Sequence, residues 1–249
     1  MKIVKIKLII FLNRFKDITS YYIIMASSSI MPKKVPTDKS PILKRVGITE
    51  GHCLQTGWKL WYHNPSNMDW TMKSYKLVFP MTIHYLEELI VLFNSWDLCL
   101  PRTAEGMFFL MRCPTPDSTI LPRWEDDNNK NGGYWSFKIT KDESDEVWKK
   151  MCFLTVNESI CLNWDTINGI SISPKKNFCI VKIWNKSSTQ RDVKTLSDEI
   201  KFLNIDECLY SSHNDNIKKD KDKLERKRQY RRNKYKNSPY KNRRNRQYY

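Results

Sequence analysis

The feature that most constrains the fold of this chain is a set of short segments in which apolar residues alternate with polar ones. In HCLQTGWKLWYH, Leu54, Trp58 and Leu60 fall on one side of an extended chain, while Lys59 and Trp61 fall on the other. Successive side chains of a β-strand point to opposite faces of a sheet. The alternation therefore predicts a strand with one face buried in a core.

Strand-like runs of this kind occur in pairs, and each pair is followed by a segment with helical periodicity. The first such segment places Leu86, Leu89 and Phe93 at spacings of three and four, with Glu87 and Glu88 on the solvent side. The order of two strands and one helix occurs three times before a final strand. The predicted strands are 52–63, 75–79, 107–113, 134–140, 169–173, 178–184 and 207–211, and the predicted helices are 83–93, 142–155 and 193–203.

This order predicts the architecture of the folded part. Strands that are neighbours in sequence and joined by short turns pair as antiparallel hairpins. We therefore expect an α+β domain with a single, mainly antiparallel sheet, three helices on one face and the other face left for a ligand.

Charge divides the chain unevenly. The net charge is +16, and residues 217–249 contain 15 Lys or Arg against 3 Asp or Glu, so that +12 lies in this segment and +4 in residues 1–216. We expect residues 49–213 to form the folded domain and residues 214–249 to be a disordered tail rich in Tyr, Lys and Arg. Such a tail attracts RNA phosphates, and a nuclear-import signal and a role in solubility alone are the alternatives. Residues 1–48 are predicted to be a flexible leader in which Met25 is an alternative start.

Residue usage argues against catalytic and metal sites. The seven cysteines form no CxxC pair, the four histidines lack metal-ligand spacing, and no phosphate loop, GxSxG, GxGxxG or HExxH motif occurs. We expect reduced thiols, no metal, no cofactor and no enzymatic activity. An intracellular binding protein of the cytoplasm fits this usage, and a nuclear fraction remains an open alternative.

Two of the nine tryptophans lie where a core residue is not expected. Trp70 in NMDW and Trp124 in PRWEDDNN are surrounded by polar, loop-forming residues. An indole in such a setting either anchors its loop or stacks on a flat ligand. The local sequence leaves both interpretations open.

The order and spacing of the tryptophan motifs resemble the eukaryotic translation initiation factor 4E family, which binds the mRNA cap. The resemblance runs from His52 to His213 and implies a curved sheet with the helices on its convex face and the ligand slot on its concave face. It also implies recruitment of capped mRNA for translation initiation. The motifs that carry it are HCLQTGWKLWY, MDW, PRWED, NKNGGYW, VWKKM, KIW and YSSH.

The resemblance implies a base-binding set within this slot. Trp70 and Trp124 would sandwich the 7-methylguanine, Glu125 would accept hydrogen bonds from its N–H groups, and Trp184 would lie near the methyl group. Methylation makes the base cationic, so stacking between indoles gains cation–π attraction. A solvated loop carboxylate is the alternative interpretation of Glu125.

The implied phosphate-binding set departs from the family pattern. Lys175 stands where the family has an arginine, Lys176 follows it, and Tyr134 replaces a basic residue. Lys182 shares a strand face with Trp184 and is a candidate to compensate, with a solvated lysine as the alternative. Lysine is a point charge without the bidentate fork of arginine.

On the convex face the resemblance implies a groove for the helical motif of a scaffold initiation factor or a repressor. Ile90 stands where the family has a tryptophan, and Lys149 and Lys150 replace an apolar and acidic pair, which favours an acidic partner. A repressor that occupies caps without recruiting a scaffold and a general RNA-binding module led by the tail remain alternative functions. The implied contact residues are His52, Leu86, Ile90 and Phe153.

Overall fold

A computed structural model of the chain describes residues 33–79 and 81–236. The alternative start at Met25 and the tail beyond residue 236 lie outside the described residues. Among the described residues nine strands form one sheet, and every strand pair is antiparallel. The strands are β1 (Lys34–Pro36), β2 (Glu50–His63), β3 (Tyr75–Leu77), β4 (Ile83–Tyr85), β5 (Met107–Cys113), β6 (Gly133–Ile139), β7 (Ile167–Pro174), β8 (Cys179–Asn185) and β9 (Leu209–Ser212).

The strand order in the sheet is β1-β2-β5-β7-β8-β6-β9, and the short strands β3 and β4 also pair with β2. The long β2 therefore joins both the N-terminal strand and the centre of the sheet. Its predicted alternation is confirmed, because Trp58 and Leu60 are fully buried in the main core while Trp61 packs into a second cluster on the other face.

In residues 33–79 and 81–236, five helices accompany the sheet. The two longest helices of the folded domain each follow a strand, and both contribute buried side chains to the main core. The predicted class, a curved antiparallel sheet covered by helices on one face, is confirmed. The helices are α1 (Pro41–Arg45), α2 (Leu86–Asn94), α3 (Trp96–Cys99), α4 (Ser144–Val156) and α5 (His213–Lys236).

The third predicted helix, 193–203, is wrong. The segment contains two single 3₁₀ turns, Val193–Thr195 and Asp198–Ile200. The side chains of Asp192 and Ser197 each accept a hydrogen bond from the backbone N–H two residues later, which favours short turns over a continuous helix. The apolar stripe of this segment is nevertheless buried against the main core.

The first turn of α2 also differs from the prediction, because Glu87 and Glu88 are buried instead of solvent-facing. Glu88 accepts the backbone N–H groups of His84 and Tyr85 at 2.7 and 3.0 Å and so caps the helix start. Glu87 accepts a hydrogen bond from the backbone N–H of His52 at 2.8 Å. Its other carboxylate oxygen lies 2.7 Å from Nδ1 of the His52 ring. Both carboxylates thus hold α2 to neighbouring elements.

The end of the predicted flexible leader is ordered against α2. Strand β1 pairs with β2, and Ser40 caps α1 through the N–H of Leu43 at 3.2 Å while its hydroxyl donates to Glu88 at 2.6 Å. Leu43 is completely buried in a cluster with Tyr85 and Val91. The flexible-leader prediction fails from residue 34 onward because this apolar surface of α2 offers the segment a place to pack.

The C-terminal segment differs from the prediction as well. Helix α5 extends from His213 to Lys236, where a disordered tail was expected. Its first residue is buried and its remaining side chains, through residue 234, are mostly exposed. Within the described part of the chain, no helix is both long and apolar enough to cross a membrane.

Candidate functional site

A cavity of about 450 Å³ opens on the sheet face opposite α2 and α4. Strand β8 shows why this face differs from the core face, because Val181 and Ile183 are buried in the main core while Lys182 and Trp184 line the cavity. Lys176, predicted to bind phosphate, does not line it. The six other residues predicted from the resemblance to bind base or phosphate do: Trp70, Trp124, Glu125, Lys175, Lys182 and Trp184.

The loop that carries Trp70 is built by short polar side chains. Backbone N–H groups donate to the side chains of Asn64, Asn67 and Asp69, each two residues earlier in the chain. Such turns fix the loop without regular structure. The indole of Trp70 stacks on the buried His63 ring, with centroids 4.4 Å apart and planes within 4°. Trp70 is nevertheless 48% exposed, so the supported indole still presents surface to the cavity.

The loop that carries Trp124 is held by hydrogen bonds from its own side chains. Asp126 accepts the N–H of Leu121 at 3.1 Å, and the buried Asn129 amide donates to the carbonyls of Leu121 and Arg123 at 2.8 Å each. These hydrogen bonds connect the residues before Trp124 to those after it. They therefore fix the backbone that carries the half-buried Trp124 side chain.

The three carboxylates after Trp124 have different surroundings. Asp126 serves the loop backbone, and Asp127 pairs with Lys130 at 2.8 Å. Glu125 alone of the three lines the cavity, with its carboxylate 3.5 Å from Nε of Arg123. Arg123 also lines the cavity and was missed by the sequence analysis, although its position next to Trp124 was a usable signal.

Trp184 forms part of the cavity wall and is only 2% exposed. Its indole N–H donates to Ser171 Oγ at 2.9 Å, and Phe109 packs edge-on against it. Ser171 and Ser173 both line the cavity. The ISIS alternation at residues 170–173 of β7 was a usable signal for these two small polar residues, because it places them on the face opposite the isoleucines.

The two cavity lysines differ in environment. Lys175 is exposed in the turn between β7 and β8, where its N–H donates to the carbonyl of Phe178 at 2.8 Å. Lys182 is partly buried, with Nζ 4.0 Å from the centroid of the Tyr134 ring. Burial, together with the nearby positive charge of Lys175, lowers the pKa of Lys182 to about 8. Tyr134, at a position where the family often has a basic residue, thus holds the Lys182 ammonium by a cation–π contact.

His213, the first residue of α5, packs against Trp184 and Tyr134, two residues that line the cavity. Its ring is fully buried, with its centroid 4.8 Å from that of Trp184 and 5.5 Å from that of Tyr134. Neither ring nitrogen has a hydrogen-bond partner among the described residues. Burial and the positive charge of Lys182 lower the pKa of His213 to about 3, so the ring is neutral near pH 7.

Helix α5 also contributes to the cavity itself. Asp220, in its second turn, is a lining residue, and the Asn216 amide donates to the hydroxyl of Tyr134 at 3.2 Å. The sequence contained no local signal for this contribution, because the segment was expected to be disordered.

The predicted partner-binding residues do not form an open groove. Leu86, Ile90 and Phe153 are each about 1% exposed and belong to the main core. Helix α1 packs on α2, and Ile42 of α1 contacts this same core cluster. His52 is partly exposed and bound to Glu87. The ordered N-terminal segment also covers part of α2, where Leu43 packs on Val91.

The described residues contain no group of three or more His, Cys, Asp or Glu side chains placed to hold a metal ion, and all seven cysteines are free. The cavity combines indole faces with two carboxylates, Glu125 and Asp220, and with three basic side chains, those of Arg123, Lys175 and Lys182. Such an arrangement suits a flat, electron-poor base that donates hydrogen bonds and carries phosphate groups.

Comparisons with known proteins agree with the fold. A family model described as eukaryotic initiation factor 4E matches residues 53–228, and so extends into α5. A Schizosaccharomyces pombe eukaryotic translation initiation factor 4E-2 is 23% identical over 198 residues, covering 75% of this chain and 77% of that protein. The Dictyostelium discoideum eukaryotic translation initiation factor 4E is 30% identical over 180 residues, 68% of each chain.

A solved structure also has this fold. It is the complex of C. elegans eIF4E-3 with the 4E-binding protein Mextli and cap analog, and it matches with a TM-score of 0.54 and 22% identity. The match covers 67% of this chain and 95% of that chain.

Proposed function

The chain belongs to the eukaryotic initiation factor 4E family, and we propose that it binds the 7-methylguanosine cap of mRNA and so recruits mRNA for translation initiation. The observation that carries the proposal is the convergence of Trp70, Trp124 and Glu125 from two separate loops on one cavity that also contains Lys182. The proposal assigns the protein a binding role in the cytoplasm, without a catalytic step.

In this proposal the base enters between the indoles of Trp70 and Trp124. His63 supports one of these rings and the hydrogen-bonded loop supports the other, so little side-chain freedom is lost on binding. Glu125 accepts hydrogen bonds from the guanine N–H groups, an interaction that adenine cannot reproduce. Trp184, held by Ser171, forms the wall against the methyl group.

The cap phosphates then lie toward the β7–β8 turn. Going from Trp184 along β8 toward this turn, the next residue on the same face is Lys182, and Lys175 stands in the turn itself. Both lysines line the same cavity, which supports their acting on one polyphosphate. An anion between them would favour the charged form of Lys182 and strengthen binding.

The test is quenching of tryptophan fluorescence by 7-methyl-GTP compared with GTP. We expect Trp124→Ala to weaken binding of 7-methyl-GTP by about 5- to 150-fold, because a stacked aromatic contributes about 1 to 3 kcal/mol. Glu125→Gln should also weaken it, because the amide is a poorer acceptor and presents N–H groups toward N–H groups.

The matched control is Asp127→Asn, which removes a neighbouring carboxylate that is paired with Lys130 and does not line the cavity. Its affinity for 7-methyl-GTP should equal that of the unmodified protein. Equal binding of 7-methyl-GTP and GTP by the unmodified protein would overturn the proposal.

We also propose that a scaffold initiation factor or a repressor binds the helix-covered face. The solved C. elegans structure is a complex of eIF4E-3 with the 4E-binding protein Mextli. In this chain Leu86 and Ile90 are buried and α1 covers part of α2. A partner helix must therefore displace the N-terminal segment or bind beside it.

A further inference from the structure

Helix α5 leaves the folded domain directly at the cavity. His213 is buried behind Trp184, Asn216 bonds to Tyr134, and Asp220 lines the cavity. The first two turns of the helix are thus attached to the wall of the proposed cap site, and the following turns extend from it with exposed side chains.

The charge of this helix is arranged by face. Residues 213–236 contain 11 Lys or Arg and 4 Asp or Glu. With 3.6 residues per turn, Lys227, Arg231 and Lys234 fall on the same side as Asp220, the side that meets the cavity. The other three acidic residues, Asp215, Asp222 and Glu225, fall on the opposite side.

The three basic residues of this cavity-side stripe are exposed, and none of them forms an ion pair within the described ranges. At 1.5 Å per residue, Lys227 lies about 10 Å and Lys234 about 21 Å along the helix from Asp220. The stripe therefore begins close to the cavity and continues away from it as an unpaired line of positive charge.

We propose that this stripe, Lys227, Arg231 and Lys234, binds the phosphates of the RNA chain that follows the cap. The inference rests on the proposed function, since it assumes that a cap occupies the cavity. RNA that leaves the cavity carries one negative charge per nucleotide, and lysine and arginine bind it through counterion release without reading its sequence. The stripe makes the protein a receptor for the cap together with the adjoining RNA.

The test compares a cap dinucleotide, a capped 12-nucleotide RNA of unstructured sequence and the same RNA without a cap, each bound to the full chain. We expect the capped RNA to bind about tenfold more tightly than the cap dinucleotide. The triple variant Lys227→Gln, Arg231→Gln, Lys234→Gln should lose most of this advantage and keep its affinity for the dinucleotide. For the capped RNA, the slope of log Kd against log salt concentration should be smaller by about 2 in this variant, because three single-strand phosphate contacts are lost.

The matched control carries the same charge change elsewhere on the helix, Lys218→Gln, Lys219→Gln, Arg226→Gln, at exposed positions away from the stripe. It should retain most of the advantage. A second variant, Leu224→Pro, keeps every charge but breaks the helix, and it should lose the advantage because the stripe is no longer aligned.

Three outcomes overturn the inference while leaving cap binding intact. These are capped RNA that binds no more tightly than the dinucleotide, equal losses in both triple variants, and an unchanged advantage in the Leu224→Pro variant. Equal binding of capped and uncapped RNA, with no binding of the dinucleotide, would instead overturn the proposed function on which the inference rests.

Discussion

At the scale of single residues, chemically similar side chains in this protein have different roles because their neighbours differ. Glu125, Asp126 and Asp127 follow one another in sequence, yet one lines the cavity, one braces the loop and one pairs with Lys130. Lys175, Lys176 and Lys182 differ in the same way, since the middle one does not reach the cavity. Residue type therefore limits the roles, and position relative to the cavity selects among them.

The pKa of Lys182 leads to a prediction about cap affinity. With a pKa of about 8, Lys182 is mostly charged at pH 7 and mostly neutral at pH 9. Binding of a phosphate requires the charged form of Lys182. At pH 9 the side chain must therefore take up a proton before or during binding, which weakens the affinity. Between these two pH values the unmodified protein should lose about tenfold more affinity for 7-methyl-GTP than Lys182→Gln does, as measured by fluorescence quenching.

Titration of the base itself affects both proteins alike, so the ratio of their dissociation constants isolates Lys182. Lys176→Gln is the matched control, because it removes an exposed charge that does not line the cavity. This control should follow the unmodified protein at both pH values. A ratio that does not change with pH would show that Lys182 does not contact the phosphates.

At the scale of elements, the N-terminal segment shows how a short element gains order from its surroundings. Helix α1 has only five residues, too few to be stable alone. It is held by the Ser40 cap, by the bond of Ser40 to Glu88 and by burial of Leu43 in the cluster with Tyr85 and Val91. Its order therefore depends on α2.

We predict that Leu43→Ala releases this element without affecting the cavity. Truncation of a buried leucine costs about 2 to 5 kcal/mol, more than a five-residue helix gains from its own hydrogen bonds. Tryptic cleavage after Lys44 and Arg45 should accelerate by roughly 30-fold or more, because cleavage follows the population of the open segment. Binding of 7-methyl-GTP should be unchanged, since α1 lies on the other face of the sheet.

The control is Asp38→Ala, an exposed position in the same segment, which should leave the cleavage rate unchanged. If Leu43→Ala is cleaved no faster than the unmodified protein, the segment is not held by this cluster. A faster release would also give a direct way to ask whether the covered surface of α2 then accepts a partner helix.

At the scale of the whole molecule, His213 couples the C-terminal helix, the cavity wall and the stability of the domain. Its folded pKa of about 3 lies below the ordinary value of 6.5, so the unfolded chain binds one more proton than the folded chain between these values. Stability that depends on neutral His213 is therefore complete above about pH 6.5 and is lost as the pH falls toward 3.

The corresponding prediction concerns acid unfolding. The free energy of unfolding of the unmodified protein should fall, relative to that of His213→Phe, by about 1.4 kcal/mol for each pH unit well inside this range. Urea denaturation at pH 7.5, 5.5 and 4.5 measures the difference. The carboxylates titrate in both proteins and cancel in the comparison, so two parallel curves would show that His213 is not buried as a neutral ring.

The sequence by itself determined the features that depend on local periodicity and on motif order. The alternation in β2, the apolar spacing of α2 and α4 and the pairing of β2 with β3 and of β7 with β8 were readable, because side-chain direction repeats every two or 3.6 residues. The expected pairing of β5 with β6 is wrong, because β7 and β8 lie between them in the sheet. The order of the tryptophan motifs likewise indicated the family. Six of the residues singled out as base or phosphate contacts line one cavity, although their roles remain proposals.

Only the tertiary structure decided features that depend on which surface a segment meets. The segment at 193–203 is bonded to a distant part of the chain, since the Ser197 N–H donates to the Ile160 carbonyl and the Leu162 N–H donates to the Thr195 carbonyl. The end of the leader is ordered because Tyr85 and Val91 offer Leu43 an apolar surface. Asp220 lines the cavity because α5 begins there, at the buried His213. Burial and hydrogen bonds between distant segments set these outcomes, and no local pattern contains them.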